Sequence, residues 1–286
     1  MKRFFILDAM LLIYRNYYAM QKKPLMTSTG IPTSAIFGCA SFLLNLMNDD
    51  SPDYFAIAID SKGGTFRNEA SAEYKANRKP MPEDLQKQIP YFYKLCLALD
   101  IPLIKIKGQE ADDIIGTLVT RFSSPEVKCF IISNDKDLMQ LVSDTVCLYN
   151  PKSMGRAEII NRTAVINKME VAPENIVDLL ALMGDSSDNI MGVKGIGKKG
   201  ATNLIKRFGS VENIYDNLSS VTGRQQDLLR EGRDSAFLSK ELATINKNIP
   251  LDCDIETFRF EHRDWRASKE LLSLFEELEF NKLRSI

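Results

Sequence analysis

One histidine stands in the entire chain, His262, and that scarcity excludes much chemistry. A Ser–His or Cys–His couple needs an imidazole beside its nucleophile. His262 lies in Phe260-Glu261-His262-Arg263, which reads as a surface or packing position. The five cysteines (39, 96, 129, 147 and 253) make no Cys-x-x-Cys pair. Most sit among apolar neighbours, as in Val127-Lys128-Cys129-Phe130-Ile131, so they read as core residues in a reducing compartment rather than as a disulfide framework or zinc site. No apolar run approaches the ~20 residues that span a bilayer. The start, Met1-Lys2-Arg3-Phe4-Phe5-Ile6-Leu7-Asp8, turns acidic too soon for a signal peptide. No Walker A sequence or dinucleotide fingerprint falls at a strand–helix turn. These absences point to a cytoplasmic globular protein without a nucleotide fold signature.

Net charge is also nearly missing: Lys and Arg number 37 against 38 Asp and Glu. The average hides segregation. Asn189 to Val211 carries Lys194, Lys198, Lys199, Lys206 and Arg207 with no acid. Ser61 to Pro80 carries Lys62, Arg67, Lys75, Arg78 and Lys79 against Glu69 and Glu73. Local patches of this kind, more than net charge, decide contact with phosphates.

With 286 residues and 44% apolar content there is material for one large or two modest domains. Apolar strands are expected at Arg3–Leu7, Tyr54–Ile59, Ile101–Ile106 and Lys128–Ile132, with shorter ones at Thr145–Tyr149 and Ala157–Ile160. Helical stretches separate them, notably Ser34–Met47 and one from Pro82 to Leu99. This alternation predicts an α/β fold with a mainly parallel sheet. Ser61 to Pro82 has one short helical candidate, Asn68–Asn77, and is too long for a passive connection. From Pro173 the pattern is helix and turn, which sets a boundary near residue 172: 1–172 for the α/β domain and 173–286 for a helical one.

The strands end in acids. Asp8, Asp60, the cluster Glu110-Ala111-Asp112-Asp113 and the pair Asp135/Asp137 each follow an apolar strand. In an open α/β sheet such ends share one edge, where sites form. Asp185 and Asp188, in Met183-Gly184-Asp185-Ser186-Ser187-Asp188-Asn189, join them if the helical half folds over that edge. A single acid after a strand serves as a helix cap or turn former. Acids after every main strand repel one another unless cations intervene. Oxygen-only donors suit hard divalent ions, and Mg²⁺ takes few carboxylates directly, so nine acids imply more than one ion. Two ions ~4 Å apart suit phosphodiester hydrolysis.

Two basic stretches accompany the acids. In Gly192-Val193-Lys194-Gly195-Ile196-Gly197-Lys198-Lys199-Gly200, a Gly-x-Gly turn between helices presents backbone N–H groups and lysines to a phosphate. This helix–hairpin–helix pattern grips nucleic acid without base readout. In Phe66-Arg67 and Glu73-Tyr74-Lys75-Ala76-Asn77-Arg78-Lys79, aromatics that stack on bases alternate with cations that hold phosphates.

These motifs together resemble the structure-specific 5′-nuclease (flap endonuclease) family: Leu7-Asp8 with Tyr14-Arg15, Asp60-Ser61-Lys62 with Phe66-Arg67, Glu73 to Arg78, Gly108 to Asp113, Asn134 to Asp137, and Gly184 to Gly197. The nearest pattern is the N-terminal 5′→3′ exonuclease region of bacterial DNA polymerase I. Ala9 and Met191 depart from it, standing where Gly and Pro are usual, and neither removes a ligand. The resemblance implies a PIN-like (resolvase-like) domain with a helical arch over about 62–90, and a helical subdomain with a helix–three-turn–helix element at about 187–208. It implies a first metal cluster of Asp8, Asp60, Glu110 and Asp112, and a second of Asp135, Asp137, Asp185 and Asp188, with Asp113 shared or supporting. Lys75 and Arg78 match residues acting on the scissile phosphate. Arg15, Lys62, Arg67, Tyr74, Gly192, Lys194, Gly195, Gly197, Lys198 and Lys199 are the expected DNA contacts. The implied cofactor is Mg²⁺, with Mn²⁺ as substitute and K⁺ at the helix–hairpin–helix. The implied partners are DNA with a 5′ flap, nick or recessed 5′ end, and a DNA polymerase in cis or in trans, for a monomer acting at the nucleoid. A PIN-type ribonuclease and a non-catalytic junction-binding module remain as alternatives at this stage.

Overall fold

The computed structural model describes residues 1–61, 63–151, 157–261 and 264–284. The expectations for Lys62 and His262 therefore fall outside the described residues. The chain runs β1 (Lys2–Asp8), α1 (Ala9–Ala19), α2 (Ser34–Asp50), β2 (Tyr54–Ala58), α3 (Phe66–Ala70), α4 (Glu83–Gln86), α5 (Ile89–Ala98), β3 (Leu103–Ile104), α6 (Ala111–Phe122), β4 (Val127–Ile132), β5 (Val146–Asn150) and β6 (Glu158–Ile160). Helices follow: α7 (Arg162–Met169), α8 (Ile176–Met183), α9 (Lys198–Phe208), α10 (Val211–Asp216), α11 (Arg224–Glu231), α12 (Arg233–Ala243), α13 (Lys269–Glu277) and α14 (Asn281–Arg284).

The strands form one six-stranded sheet in the order β3-β2-β1-β4-β5-β6. All neighbours are parallel except β5 and β6. β1 lies at the centre, with Leu7 level with Ile57 of β2 and Ile132 of β4. Successive side chains of a strand face opposite sides, and here both sides are covered, which is why the strands are apolar throughout. Phe4 and Ile6 pack with Ile114, Ile115 and Leu118 of α6. Phe5 and Leu7 pack with Leu12 of α1, Leu43 of α2 and Phe92 of α5.

The α6 side of the sheet shares its apolar core with Leu179 of α8, Leu204 of α9 and Leu242 of α12. The change from strand to helix near residue 172 is thus not a gap in packing. Downstream of α12 the chain returns to the sheet. Phe258 stacks on Phe4 at 5.4 Å, and Phe275 of α13 joins the α2/α5 side, 6.3 Å from Trp265.

Several expected helices are shorter than their apolar patterns, each for a local reason. The stretch from Pro82 to Leu99 breaks at Lys87 and Gln88, because Pro90 has no N–H for the ladder. Buried Gln88 uses its side-chain oxygen to accept from Ala35 N at 2.8 Å, capping α2, whose own N-cap Thr33 makes no side-chain bond. The helix expected over Asn68–Asn77 lies earlier, at Phe66–Ala70, because Thr65 N donates to Asn68 Oδ1 at 3.0 Å and sets the start. The arch segment therefore holds short helices joined by turns rather than long helices.

Candidate active site

The carboxyl edge of the sheet gathers the acids. Asp8 ends β1 and caps α1, accepting from Leu11 N at 3.2 Å. Asp60, just past β2, accepts from Ala111 N at 2.8 Å, and Gly108 N donates to Ser61 Oγ at 3.0 Å. These bonds zip the loop after β2 to the start of α6, fixing Glu110 and Asp112 beside Asp60. Asp135 follows β4 and accepts from Asp137 N at 2.9 Å. Asp185 and Ile190 exchange two backbone bonds of 2.8 Å, closing the loop that holds Asp188. Gly184 and Gly192 flank that loop at φ +74° and +63°. A Cβ on Gly192 would lie 2.3 Å from Gly184 N, so only glycine fits there.

Three bases are inserted among the acids. Lys75 Nζ hydrogen-bonds Glu110 Oε2 and lies 3.5 Å from Asp188 Oδ2. Arg78 donates to Asp188 Oδ1 at 2.6 Å, and Lys136 to Asp185 Oδ1 at 2.6 Å. Tyr74 OH contacts Glu110 Oε2 at 3.2 Å and Asp188 Oδ2 at 3.3 Å, and Thr65 Oγ1 donates to Glu110 Oε1 at 3.0 Å. Lys136 and Thr65 were not among the expected site residues. The signal for Lys136 was its place between two acids after a strand; Thr65 offered none.

The electrostatics divide the acids in two. Burial favours the neutral form of Glu110, but Lys75 and Arg67 outweigh it and hold its carboxyl below the ordinary range. Lys75 and Arg78 do the same for Asp188. Asp8, Asp112, Asp135 and Asp137 shift the other way. Burial, then Asp60, raises Asp8 to about 7. Burial, then Asp135, Asp185 and Asp188, raises Asp137 to about 8. Burial also lifts Asp112 well above the ordinary range and raises Asp135.

Among the described residues, no three acids are gathered tightly enough to hold an ion as their side chains stand, since the bases lie between them. The donor set nevertheless fits divalent cations. It is made of carboxylate oxygens, and Asp137 Oδ1 is buried without a hydrogen-bond partner. A cleft of about 470 Å³ opens beside the edge, lined by Asp8, Asp60, Asp112, Asp135, Lys75 and Arg78, with Tyr14 and Arg15 on its wall.

Four of the expected contacts lie elsewhere than the sequence suggests. Arg67 is 2% exposed and donates to both Asp113 oxygens at 2.7 Å, so it cannot reach a DNA backbone. Asp113 is 0% exposed and bound by Arg67 and by Asn246 N at 2.8 Å, which keeps it inside the protein and out of the cleft. Tyr74 is 5% exposed, and its ring is not available to stack on a base. Gly192 is also buried; its N–H donates to Ser239 Oγ at 2.9 Å and its carbonyl accepts from Ser235 Oγ at 2.6 Å, so it shapes the turn rather than contacting a ligand. Beyond it Lys194, Gly195, Gly197, Lys198 and Lys199 are exposed around the free amino end of α9.

Residues 3–170 match the family model described as 5′-3′ exonuclease, N-terminal resolvase-like domain, and residues 171–266 match 5′-3′ exonuclease, C-terminal SAM fold. A DNA polymerase I of Caldicellulosiruptor bescii is 39% identical over 97% of this chain, which spans 32% of that protein. A 5′-3′ exonuclease of Aquifex aeolicus is 36% identical over 99% of this chain and 94% of its own length. The bacteriophage T5 flap endonuclease, solved as a pseudo-enzyme-product complex with DNA and metal ions, superimposes with a TM-score of 0.68 at 26% identity, covering 86% of this chain and 90% of that one. The acids at the sheet edge, the Gly-rich turn before α9 and these matches lead to one conclusion: the chain belongs to the 5′-3′ exonuclease family.

Proposed function

We propose that the chain is a divalent-metal-dependent phosphodiesterase that hydrolyses DNA at 5′ ends and 5′ flaps during replication and repair. The observation that carries this reading is that Asp8, Asp60, Asp112 and Asp135 line one cleft with Lys75 and Arg78, while Glu110 and Asp188 are bound by Lys75 and Arg78, Asp137 is bound to Asp135, and Asp185 is bound by Lys136. Ions held by Asp8, Asp60, Glu110 and Asp112 and by Asp135, Asp137, Asp185 and Asp188 would activate water and stabilise the leaving oxygen. Mg²⁺ fits the oxygen-only donors, and Mn²⁺ is the expected substitute.

The chain's own groups supply the rest. Lys75 and Arg78 present positive charge at the cleft and transfer their hydrogen bonds from Glu110 and Asp188 to an entering phosphate. A phosphate oxygen there accumulates charge during hydrolysis, and fixed cations stabilise that state more than the ground state. Arg15 lies on the same wall and steers the strand. The exposed N–H groups at the start of α9, with Lys194, Lys198 and Lys199, hold the duplex backbone without regard to sequence. Residues 173–286 serve as the duplex-binding portion. A polymerase in cis or in trans would take over the gap this reaction leaves.

The test is a labelled 5′-flap duplex incubated with and without Mg²⁺. Cleavage only with Mg²⁺, lost in an Asp135→Ala plus Asp137→Ala variant that still binds the flap, is expected. An uncut flap, equal cutting by the variant, or preference for single-stranded RNA would overturn the reading.

A further inference from the structure

The Arg67–Asp113 pair has no place in that chemistry, yet it is a buried, bidentate ion pair with further partners on both sides. Arg67 Nε donates to Leu242 O at 2.9 Å, and NH2 donates to Thr244 O at 2.8 Å. NH1 and NH2 reach the two Asp113 oxygens at 2.7 Å each, and NH1 lies 3.5 Å from Glu110 Oε1. One guanidinium thus joins three segments remote in sequence: α3, the start of α6 and the end of α12. The last of these matters because α12 also holds the Gly-rich turn, through Ser235 and Ser239 to Gly192.

We propose that Arg67 is a positioning residue that ties the duplex-gripping turn to the acid edge, with Asp113 as its counter-ion and not a metal ligand. A duplex held at Lys194–Lys199 pulls on α12. Through Leu242 O and Thr244 O that register reaches Arg67, and through Asp113 it reaches the first turn of α6, where Glu110 and Asp112 sit. A planar guanidinium can serve carboxylate and carbonyls together; an ammonium cannot match that fork. Other bonds hold the same end of α12 in place, including Gln140 Nε2 to Ala243 O at 3.0 Å and Ile245 N to Gln140 Oε1 at 3.0 Å. The end of α12 is thus anchored by Gln140 as well, and what the pair alone adds is the alignment of Glu110 and Asp112.

This inference rests on the proposed flap-cleaving activity, so the full chain is assayed first: a wild type that does not cut removes that reading, whereas the following outcomes concern the pair alone. In Arg67→Lys, charge is kept and the fork is lost; kcat on a 5′ flap should fall about 10–100-fold, as small misplacements do. Flap affinity measured in EDTA and half-saturation by Mn²⁺ should stay within about twofold of wild type. Arg67→Met plus Asp113→Leu removes both charges at similar volume, a change buried pairs tolerate. Leu242 O, Thr244 O and Asn246 N lose these partners too, so it should stay folded with a lowered melting temperature and remain as slow as Arg67→Lys. Recovery of kcat in Arg67→Lys would mean that charge alone suffices, and would overturn the proposal. So would a loss confined to flap affinity, a loss repaired by excess Mn²⁺, or wild-type kcat in the double variant.

Discussion

Lys75 donates its backbone N–H to the Asp188 carbonyl at 2.9 Å while its ammonium lies 3.5 Å from the carboxylate of the same residue. The turn carrying this cation is therefore hung on the loop carrying the last of the acids. Lys75 adopts φ +56° to do so, and Asn189, itself at φ +56°, donates to Glu73 O at 2.7 Å. Asn77 adds a bond to Ser186 O at 2.8 Å. Left-handed backbone at two non-glycine residues costs free energy that these cross-loop bonds offset.

Removing the Lys75 side chain separates its two roles. Lys75→Ala should leave Glu110 and Asp188 partly uncompensated and destabilise the protein in EDTA by on the order of 1–3 kcal/mol. Mg²⁺ should restore most of that loss, while kcat on a flap remains lowered by about 100-fold or more. Equal melting of variant and wild type in EDTA, or unchanged kcat, would contradict the assignment.

The raised acids make a pH prediction. Asp8 and Asp137 move from an ordinary 3.8 to about 7 and about 8 in the folded chain. The unfolded chain releases these protons near 3.8, so between there and about 8 the native state holds more protons. Stability from this source is present at low pH and lost as pH rises through the folded values. In EDTA the melting temperature should fall from pH 5 to pH 8. Saturating Mg²⁺, or Asp8→Asn with Asp137→Asn, should flatten the fall. Glu110 and Asp188, whose values are lowered, act below that window. A melting temperature that rises from pH 5 to pH 8 in EDTA would refute the argument.

Gly192→Ala tests the turn. Its Cβ would meet Gly184 N at 2.3 Å and Leu182 O at 2.7 Å, backbone atoms that cannot swing aside. We expect a destabilisation of at least ~1–3 kcal/mol from the left-handed backbone alone, with weaker flap binding, measured by denaturant titration and anisotropy.

Lys198→Ala and Lys199→Ala should act on binding alone. Each should weaken flap affinity evenly across sequences and reduce the slope of log affinity against log salt by about 1, with kcat at saturation unchanged. A change in kcat without one in affinity would remove these lysines from the duplex grip.

Much of this was legible along the chain because the signals are local. A strand buried on both faces must be apolar over its length, and the acid that follows it lies at the carboxyl edge of a parallel sheet. That reasoning placed Asp8, Asp60, Glu110, Asp112, Asp135 and Asp137. It faltered where partners are distant. Arg67, next to an aromatic in a basic run, reads as a phosphate contact, and only folding brings Asp113, Leu242 and Thr244 around it. Tyr74 likewise reads as a stacking surface until Glu110 and Asp188 claim its hydroxyl.

Sequence alone determined the parallel sheet, the inventory of acids and the Gly-rich turn, since periodicity, strand-end acids and obligatory glycines act over a few residues. Tertiary structure decided which charges face the cleft and which are consumed inside. A buried guanidinium must find all its acceptors, and those of Arg67 lie 46 to 177 residues away, beyond the reach of any local pattern.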